Sequence, residues 1–483
     1  MFKKLFVVCF ILIITVINIK ATTEPITLQL WDWYIVQSKF LDNEIKLFEE
    51  KYPYIKVKRT KQLLNRYRDL VNYAFRSSTL PDVLAIPVDV RLEWMRAGYF
   101  LPIDDFINEE FINRFPKGSF MSGINIYNGK YYSFPVNGGE VWCQLYLNTD
   151  VFKKAGLVDK NGEVLLPKTW NDIRKYAKIV TKKGQGKFYG FGFSYRPDHL
   201  HANMFYEWAR LAGARGGPQD LAMGVDYKIG RYNFTTDGAL EGYTRMFKFL
   251  LALKKDKSLY PNCLSIDDEQ LRAAFADGKI AMIMGGSWNM KGWETTHPNF
   301  KEYECLMVPP PDEKGYRALF GVNLANVYHG IGANTKYPAE AWKLMSWFAS
   351  PEVGERYVRA GLGLSIFPSA NSMKNAKYRQ FGQYMEISST YSRSYPNPFA
   401  RNPELANVVV KPVLPNHIGV FWGVMSGQIK EKDIPAQLKS LEDRMNKALE
   451  EGFEEAVKKG YNVNITRDLT FPDWDPLQHY EQK

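Results

Sequence analysis

Between residues 26 and 98 the hydrophobic period of the chain switches repeatedly between that of a strand and that of a helix, and this alternation limits the available folds more than any other feature. Residues 26–33, ITLQLWDW, alternate apolar and polar side chains as a half-buried strand does. Phe40, Leu41, Ile45, Leu47 and Phe48 then recur at helical spacing over 40–51, and Pro53 stops the run. Ile55-Lys56-Val57 alternates again, 67–75 returns to helical spacing, 83–86 is a short apolar strand behind Pro81-Asp82, and 92–97 is helical up to Gly98. Strands alternating with helices of this length predict a parallel sheet, because parallel neighbours need a crossover that a helix supplies.

The rest of the chain keeps the α/β character with longer intervals. Residues 127–148 open with an Asn-Gly turn and read as a long strand interrupted at Asn137-Gly138-Gly139, which suggests a bend or a crossing between lobes. A helix over 151–155 stops at Gly156, Thr169 is placed to cap a helix over 170–181, and 188–193 reads as a strand. Residues 199–275 are expected to be largely helical, with loops near 213–220 and 260–263. The segment 275–288, FADGKIAMIMGGSW, predicts a helix end, a tight turn at Asp277-Gly278, a short buried strand and a Gly-Gly loop presenting Trp288. Beyond it come a Pro-rich turn at 309–311, an apolar helix over 339–348 that draws Trp342 and Trp347 into the core, another helix from Pro351, a Gly-rich extended crossing at 361–367 and a final amphipathic helix over 434–449.

Composition narrows the class. Lys3 and Lys4 precede an apolar run over 5–17, the pattern of a secretory signal, with cleavage expected near Ala21. The run is shorter than the roughly 20 residues that a membrane span needs. Removing 21 of 483 residues leaves about 460, too long for a single core, and loss of Lys3, Lys4 and Lys20 takes the net charge from +11 to +8. Basic residues are dispersed, which argues against nucleic acid as a partner. Cys143, Cys263 and Cys305 remain after cleavage; a Cys263–Cys305 pair and three buried thiols both fit an odd count. No P-loop, HExxH, CxxC or GxSxG motif occurs, and His199 and His201 lack a third ligand at metal-binding spacing. The adjacent pairs Asp104-Asp105 and Asp267-Asp268 read as caps and solvated faces rather than as an acid/base pair. Neither a cofactor nor a metal is expected.

Taken in order, FEEKYPYIKV (48–57), LPDVLAI (80–86) with AGYFLPIDDF (97–106), NGKYYSFPV (128–136), LYLNTDVFKKAGL (145–157) with LPKTWNDI (166–173), FADGKIAMIMGGSW, ANTKYPAEAWKLMSWFASPE (333–352) and SGQIKEKDIPAQLKSLEDRMNKAL (426–449) carry a resemblance. The chain resembles the extracellular solute-binding proteins of ABC importers, family 1, the maltose-type sugar-binding class. It departs from them in an apparent insertion at 137–139, an extension after about 450, and no lipid-attachment cysteine. The resemblance implies an α/β, two-lobed periplasmic-binding-protein fold of type II, its lobes joined by crossing hinge strands with the ligand cleft between them. It divides the chain into a signal at 1–21, lobe 1 at 22–136 plus 327–362, lobe 2 at 137–326 plus 363–449, and an extension at 450–483 without an assigned role.

What the resemblance implies for function is capture of a carbohydrate, in the periplasm, by a monomer that hands it to the membrane subunits of an ABC transporter. The alternatives are the same fold around a non-sugar solute such as a glycerol phosphodiester, or a secreted carbohydrate-active enzyme. A pyranose offers an apolar face to stack on aromatic rings and a rim of hydroxyls for planar acceptors and donors. On the family pattern Trp288 is expected to stack, against the alternative of a packed core ring; Trp33 and Tyr34 follow the first strand where lobe 1 meets ligand, whereas Trp31 is expected in the core. Asp89 stands where a hydroxyl-binding carboxylate is often found, and equally where a helix cap would be. Asn137, Glu140 and Trp142 sit on the first crossing, Asn323 on the second, and Tyr195 and Arg196 follow the strand 188–193 at its ligand-facing end.

Overall fold

The structure, a computed structural model, describes residues 25–87, 90–136, 138, 141, 144–194, 198–216, 224–236, 238–261, 263–312, 319–320 and 329–481. The expected parallel layer forms. Strand Ile26–Asp32 lies at the middle of a four-stranded sheet, with Ile55–Lys61 on one side and Val83–Ala85 on the other, both parallel to it. His329–Ile331 closes the far edge, antiparallel to Val83–Ala85, so about 250 residues later the chain returns to the lobe it started. Leu28, Leu30 and Asp32 all point inward from the first strand. Leu41, Ile45 and Phe48 of helix Ser38–Lys51 cover the sheet, and Arg356 of helix Pro351–Arg359 grips the fully buried Glu44 through two 2.7 Å bonds. Leu64–Arg76 and Arg91–Ala97 supply the other two predicted helices, the latter ending at Gly98.

A second sheet has Gln144–Asn148 at its centre, flanked by Met282–Gly285 and Tyr303–Leu306, both antiparallel. The long strand expected over 127–148 is divided. Its start is a two-residue hairpin, Ile126–Tyr127 with Lys130–Tyr131, about the Asn128-Gly129 turn, and only its end joins the second sheet. The segment 188–193 is likewise not a continuous strand but a set of isolated bridges from Tyr189 to Ile280, Phe191 to Leu259 and Gly192 to Ile283. Gly190 explains part of this: a Cβ there would stand 2.2 Å from the Cα of Ala177, so the backbone presses directly onto helix Trp170–Gly184. That helix begins as expected, with Thr169 and Asp172 forming a reciprocal capping box. The helical region 199–275 also contains an unanticipated hairpin, Val225–Asp226 with Arg231–Tyr232. Cys263 and Cys305 are both free and buried, which decides between the two readings for that pair; Cys143 lies outside the described residues. Burial pushes the Cys263 thiol up to about 12.

The hydrophobic interior follows the two sheets. One core gathers residues of 28–134 with Ile331, helix Pro338–Phe348, Ile366 and Phe367; a second lies on one face of the second sheet, on Leu145, Leu147 and Met282, and a third on its other face, joining Tyr146, Ile283 and Cys305 to Val358 and Phe381. Helix Ile434–Lys458 runs past the predicted end at 449 because Gly452, Phe453 and Ala456 continue its buried face. A further short helix, Ile465–Leu469, follows, and Phe471 and Trp474 are buried in the second core. The cores also touch: Arg96 donates to the carbonyls of Ala406 at 2.5 Å and Val408 at 3.3 Å, and the Tyr127 hydroxyl donates to Asn407 Oδ1 at 2.9 Å. Among the described residues no helix is long and apolar enough to cross a membrane.

Candidate functional site

Two crossing segments run against each other between the sheets. The amide of Gly138 donates to the carbonyl of Leu364 at 3.3 Å, inside the extended stretch 361–367. The Leu362 carbonyl is a meeting point for both lobes. It accepts long 3.5 Å bonds from Tyr357 Oη and from Ser287 Oγ, while Gln37 Nε2 donates to Tyr357 Oη at 3.3 Å. The turn after the first strand of one sheet and the turn after strand Met282–Gly285 of the other therefore flank the same crossing.

In the first lobe, Asp32 ends its strand on the inward face, fully buried. A carboxylate there needs a paired partner, and the neighbouring strand provides Arg59. Its Nε and Nη2 reach the two Asp32 oxygens at 2.6 and 2.7 Å, and Asp32 Oδ1 also accepts the Tyr34 amide at 2.8 Å. Trp33 leaves this anchored turn half-buried, its ring 4.7 Å from that of Tyr34 and 5.3 Å from that of Tyr67. The Tyr67 hydroxyl is itself fixed on the carbonyl of Ala85 at 2.7 Å. Tyr34 takes a different place from its neighbour. It is only 7% exposed and packs in the first core beside His329, lining a cavity of about 40 Å³ shared with Gln37, Leu41, Val136 and Tyr357. That space suits a water molecule or two and not a sugar ring. Burial, with Asp32 nearby, pushes the Tyr34 phenol well above its ordinary value. Burial and the Arg59 charge push His329 down to about 3, so its imidazole is neutral at pH 7.

In the second lobe, Trp288 is not in a loop but is the first residue of helix Trp288–Thr296, separated from the strand by Gly286 and Ser287 alone. The two glycines are dictated by what lies over them. A Cβ on Gly285 would sit 1.9 Å from Asn289 Nδ2, and one on Gly286 would sit 2.1 Å from Cζ3 of the Trp288 ring. The half-buried indole thus folds back across the glycine backbone, whose Gly286 carbonyl is held by Tyr146 Oη at 2.8 Å. Below it Arg272 Nη1 donates to Asn289 Oδ1 at 3.2 Å and pairs with the partly buried Asp268. Burial raises the Asp268 carboxyl, while Arg272 and a hydrogen bond from Trp288 pull it down. Asp267 next to it caps helix Asp268–Ala276, as expected for one member of that pair.

Of the other expected ligand residues, Asp89, Asn137, Glu140, Trp142, Tyr195, Arg196 and Asn323 lie outside the described residues. Trp31, Trp342 and Trp347 pack against the first core. Arg59 escaped the sequence reading; the only signal for it was the inward phase of Asp32 on an otherwise apolar strand face, which demanded a cation without saying which. Two aromatic rings on rigid strand ends, with carboxylates already committed to arginines behind them, make a surface suited to stacking on a flat apolar face.

The sequence profile of the bacterial extracellular solute-binding proteins matches residues 33–355. Binding proteins of Brucella abortus (strain 2308) and Brucella suis biovar 1 are each 25% identical over 271 residues, 56% of this chain and 59% of theirs, so the match spans less than two thirds of these relatives. Three of the solved structures that share the fold illustrate the likeness. The GacH receptor of Streptomyces glaucescens, studied unliganded and with acarbose, is 16% identical with a TM-score of 0.66 over 88% of this chain and 99% of its own. A solute-binding protein of Thermotoga lettingae bound with alpha-D-tagatose is 20% identical, TM-score 0.66, over 88% and 100%. The maltose/maltodextrin-binding domain of Bdellovibrio bacteriovorus bound to maltotriose is 19% identical, TM-score 0.59, over 90% and 99%. Their fold is the two-lobed one expected from the order of motifs.

Proposed function

We infer the task of this chain from the family to which it belongs, the bacterial extracellular solute-binding proteins: it captures a carbohydrate, an oligosaccharide in preference to a single sugar, between two lobes and delivers it to an ABC transporter for import. One observation carries the sugar reading. Trp33 and Trp288 each stand just beyond a strand end of a different sheet, on the two sides of the crossing 361–367, where closure of the lobes would bring two aromatic faces onto one ligand. The ligands named for the structural neighbours, acarbose, tagatose and maltotriose, support the same class. Lobe 1 is drawn through 22–136 and 327–362 and lobe 2 through 137–326 and 363–449. The hydroxyl-binding groups are sought at Asp89, Asn137, Glu140 and Asn323, with Trp142, Tyr195 and Arg196 completing the wall and Tyr34 backing Trp33. The chain works as an exported monomer in the periplasm, its signal ending near residue 21. It binds without turning its ligand over, since closure and not bond cleavage is the event that the transporter reads.

A thermal-shift screen against mono- and oligosaccharides tests this. Ligand at 100 times its dissociation constant stabilises the folded state by about 2.7 kcal/mol, a shift easily measured. Trp288→Ala is expected to abolish the shift and the fluorescence change while leaving the unfolding transition cooperative. Affinity unchanged in that variant would remove Trp288 from the site.

A further inference from the structure

We propose that Arg59 is the positioning residue for the Trp33 face of the cleft, setting the angle at which that ring meets a ligand. The proposal rests on the reading above that Trp33 lines the cleft. Arg59 lies on the neighbouring strand, and its side chain is only 6% exposed. Its guanidinium binds three separate pieces of chain at once. Nε and Nη2 hold the Asp32 carboxylate where the strand ends. Nη2 also donates to the Tyr34 carbonyl at 3.1 Å, on the far side of Trp33. Nη1 donates to Ser38 Oγ at 3.0 Å and to Asp42 Oδ1 at 2.8 Å, in the first turns of the following helix.

Besides Arg59, the turn that carries Trp33 is held by the Tyr34 amide on Asp32 Oδ1, by the Gln62 amide on the Asp32 carbonyl at 3.0 Å and by the packing of the Trp33 ring on Tyr34 and Tyr67. Its own backbone contributes the bonds from Ile35 to Trp33 and from Ser38 to Ile35. The residue on either side of Trp33 is thus tied to one rigid planar fork, and the ring between them has its backbone direction fixed from both ends. Only an arginine can do this. A lysine would satisfy the charge of Asp32 but, as a single compact ammonium, could not also span the Tyr34 carbonyl and the helix start.

The test uses the full chain labelled with 5-fluorotryptophan and read by fluorine NMR, with Trp33→Phe identifying the Trp33 signal among the 12 tryptophans. In Arg59→Lys the Trp33 signal is expected to shift and broaden, while those of Trp288 and Trp474 stay in place. Asp42→Ala combined with Ser38→Ala removes the two side-chain acceptors of Nη1, the Asp42 carboxylate being 56% exposed, without uncovering a buried charge, and should move the same signal by less. An unmoved Trp33 signal in Arg59→Lys overturns the proposal; should that variant fail to fold, an unmoved signal in the Ser38→Ala, Asp42→Ala variant overturns it. The sugar panel separates this from the reading beneath it. If the signal moves but Trp33→Phe and Trp33→Ala bind every sugar as the unaltered protein does, the positioning stands and the ligand role of Trp33 fails.

Discussion

At the scale of single residues, charge and backbone decide more than hydrophobicity does. Gly285 and Gly286 read in the sequence as a loop; they are glycines because Asn289 and the Trp288 ring occupy the space a Cβ would need. Asp32 follows the alternation of its strand inward, where only a paired carboxylate is tolerated. His329 is the residue whose burial has a consequence for pH. Its folded value of about 3 lies below the ordinary 6.5, so from pH 6.5 down to 3 the unfolded chain takes up a proton that the native state does not. The contribution of this group is complete above pH 6.5 and falls through this window, by about 1.4 kcal/mol per pH unit. His417, pushed down to about 4 by burial, acts in the same direction between 6.5 and 4. Urea unfolding at pH 7, 6 and 5 should show this slope, and His329→Gln should flatten it by about one proton's worth. The same slope in both proteins would place the acid sensitivity elsewhere.

At the scale of elements, periodicity was a reliable guide where an element is bounded by its own neighbours in sequence. Helices Ser38–Lys51 and Leu64–Arg76 form where the apolar spacing puts them, and Trp170–Gly184 where Thr169 caps it. It failed where another element intervenes, as at 188–193, where Gly190 lets helix Trp170–Gly184 press on the backbone. The tail is the clearest case of structure invisible to local pattern. After Lys458 the chain folds back so that Arg401 stacks 3.5 Å over Phe471, Arg393 Nε donates to the Leu477 carbonyl at 2.8 Å, and Trp474 is fully buried. Trp474→Ala should therefore cost about 3–5 kcal/mol, as emptying a packed tryptophan site does. Differential scanning calorimetry would read this as a lowered midpoint; a midpoint within a degree of the unaltered protein would mean that the tail contributes nothing to the second core.

At the scale of the whole molecule, the two cores meet through the crossing segments and also through Arg96, which stands beside Trp94 and Met95 of the first core and whose guanidinium donates to the backbone carbonyls of Ala406 and Val408 of the second. Burial lowers the Arg96 value, so its charge is held at a desolvation cost that the carbonyl bonds offset. Arg96→Ala is expected to cost about 1–2 kcal/mol and to loosen the coupling between the cores. Calorimetry should then show one transition broadening toward two. A single, equally sharp transition at the same temperature would rule out a coupling role for this contact.

The sequence by itself determined which segments are strands and helices in the first hundred residues, the placement of caps such as Thr169 and Asp267, and, through the order of its motifs, the two-lobed fold. Those properties depend on residues a few positions apart, where spacing and capping act directly. Only the tertiary structure decided that Arg59 answers Asp32, that Tyr34 turns into the core while Trp33 remains half-exposed, that Trp288 begins a helix, and that Cys263 and Cys305 stay apart. Each of these is settled by groups distant in sequence, and a buried charge or a half-buried ring finds its partner only when the sheets have formed and the chain has crossed between them.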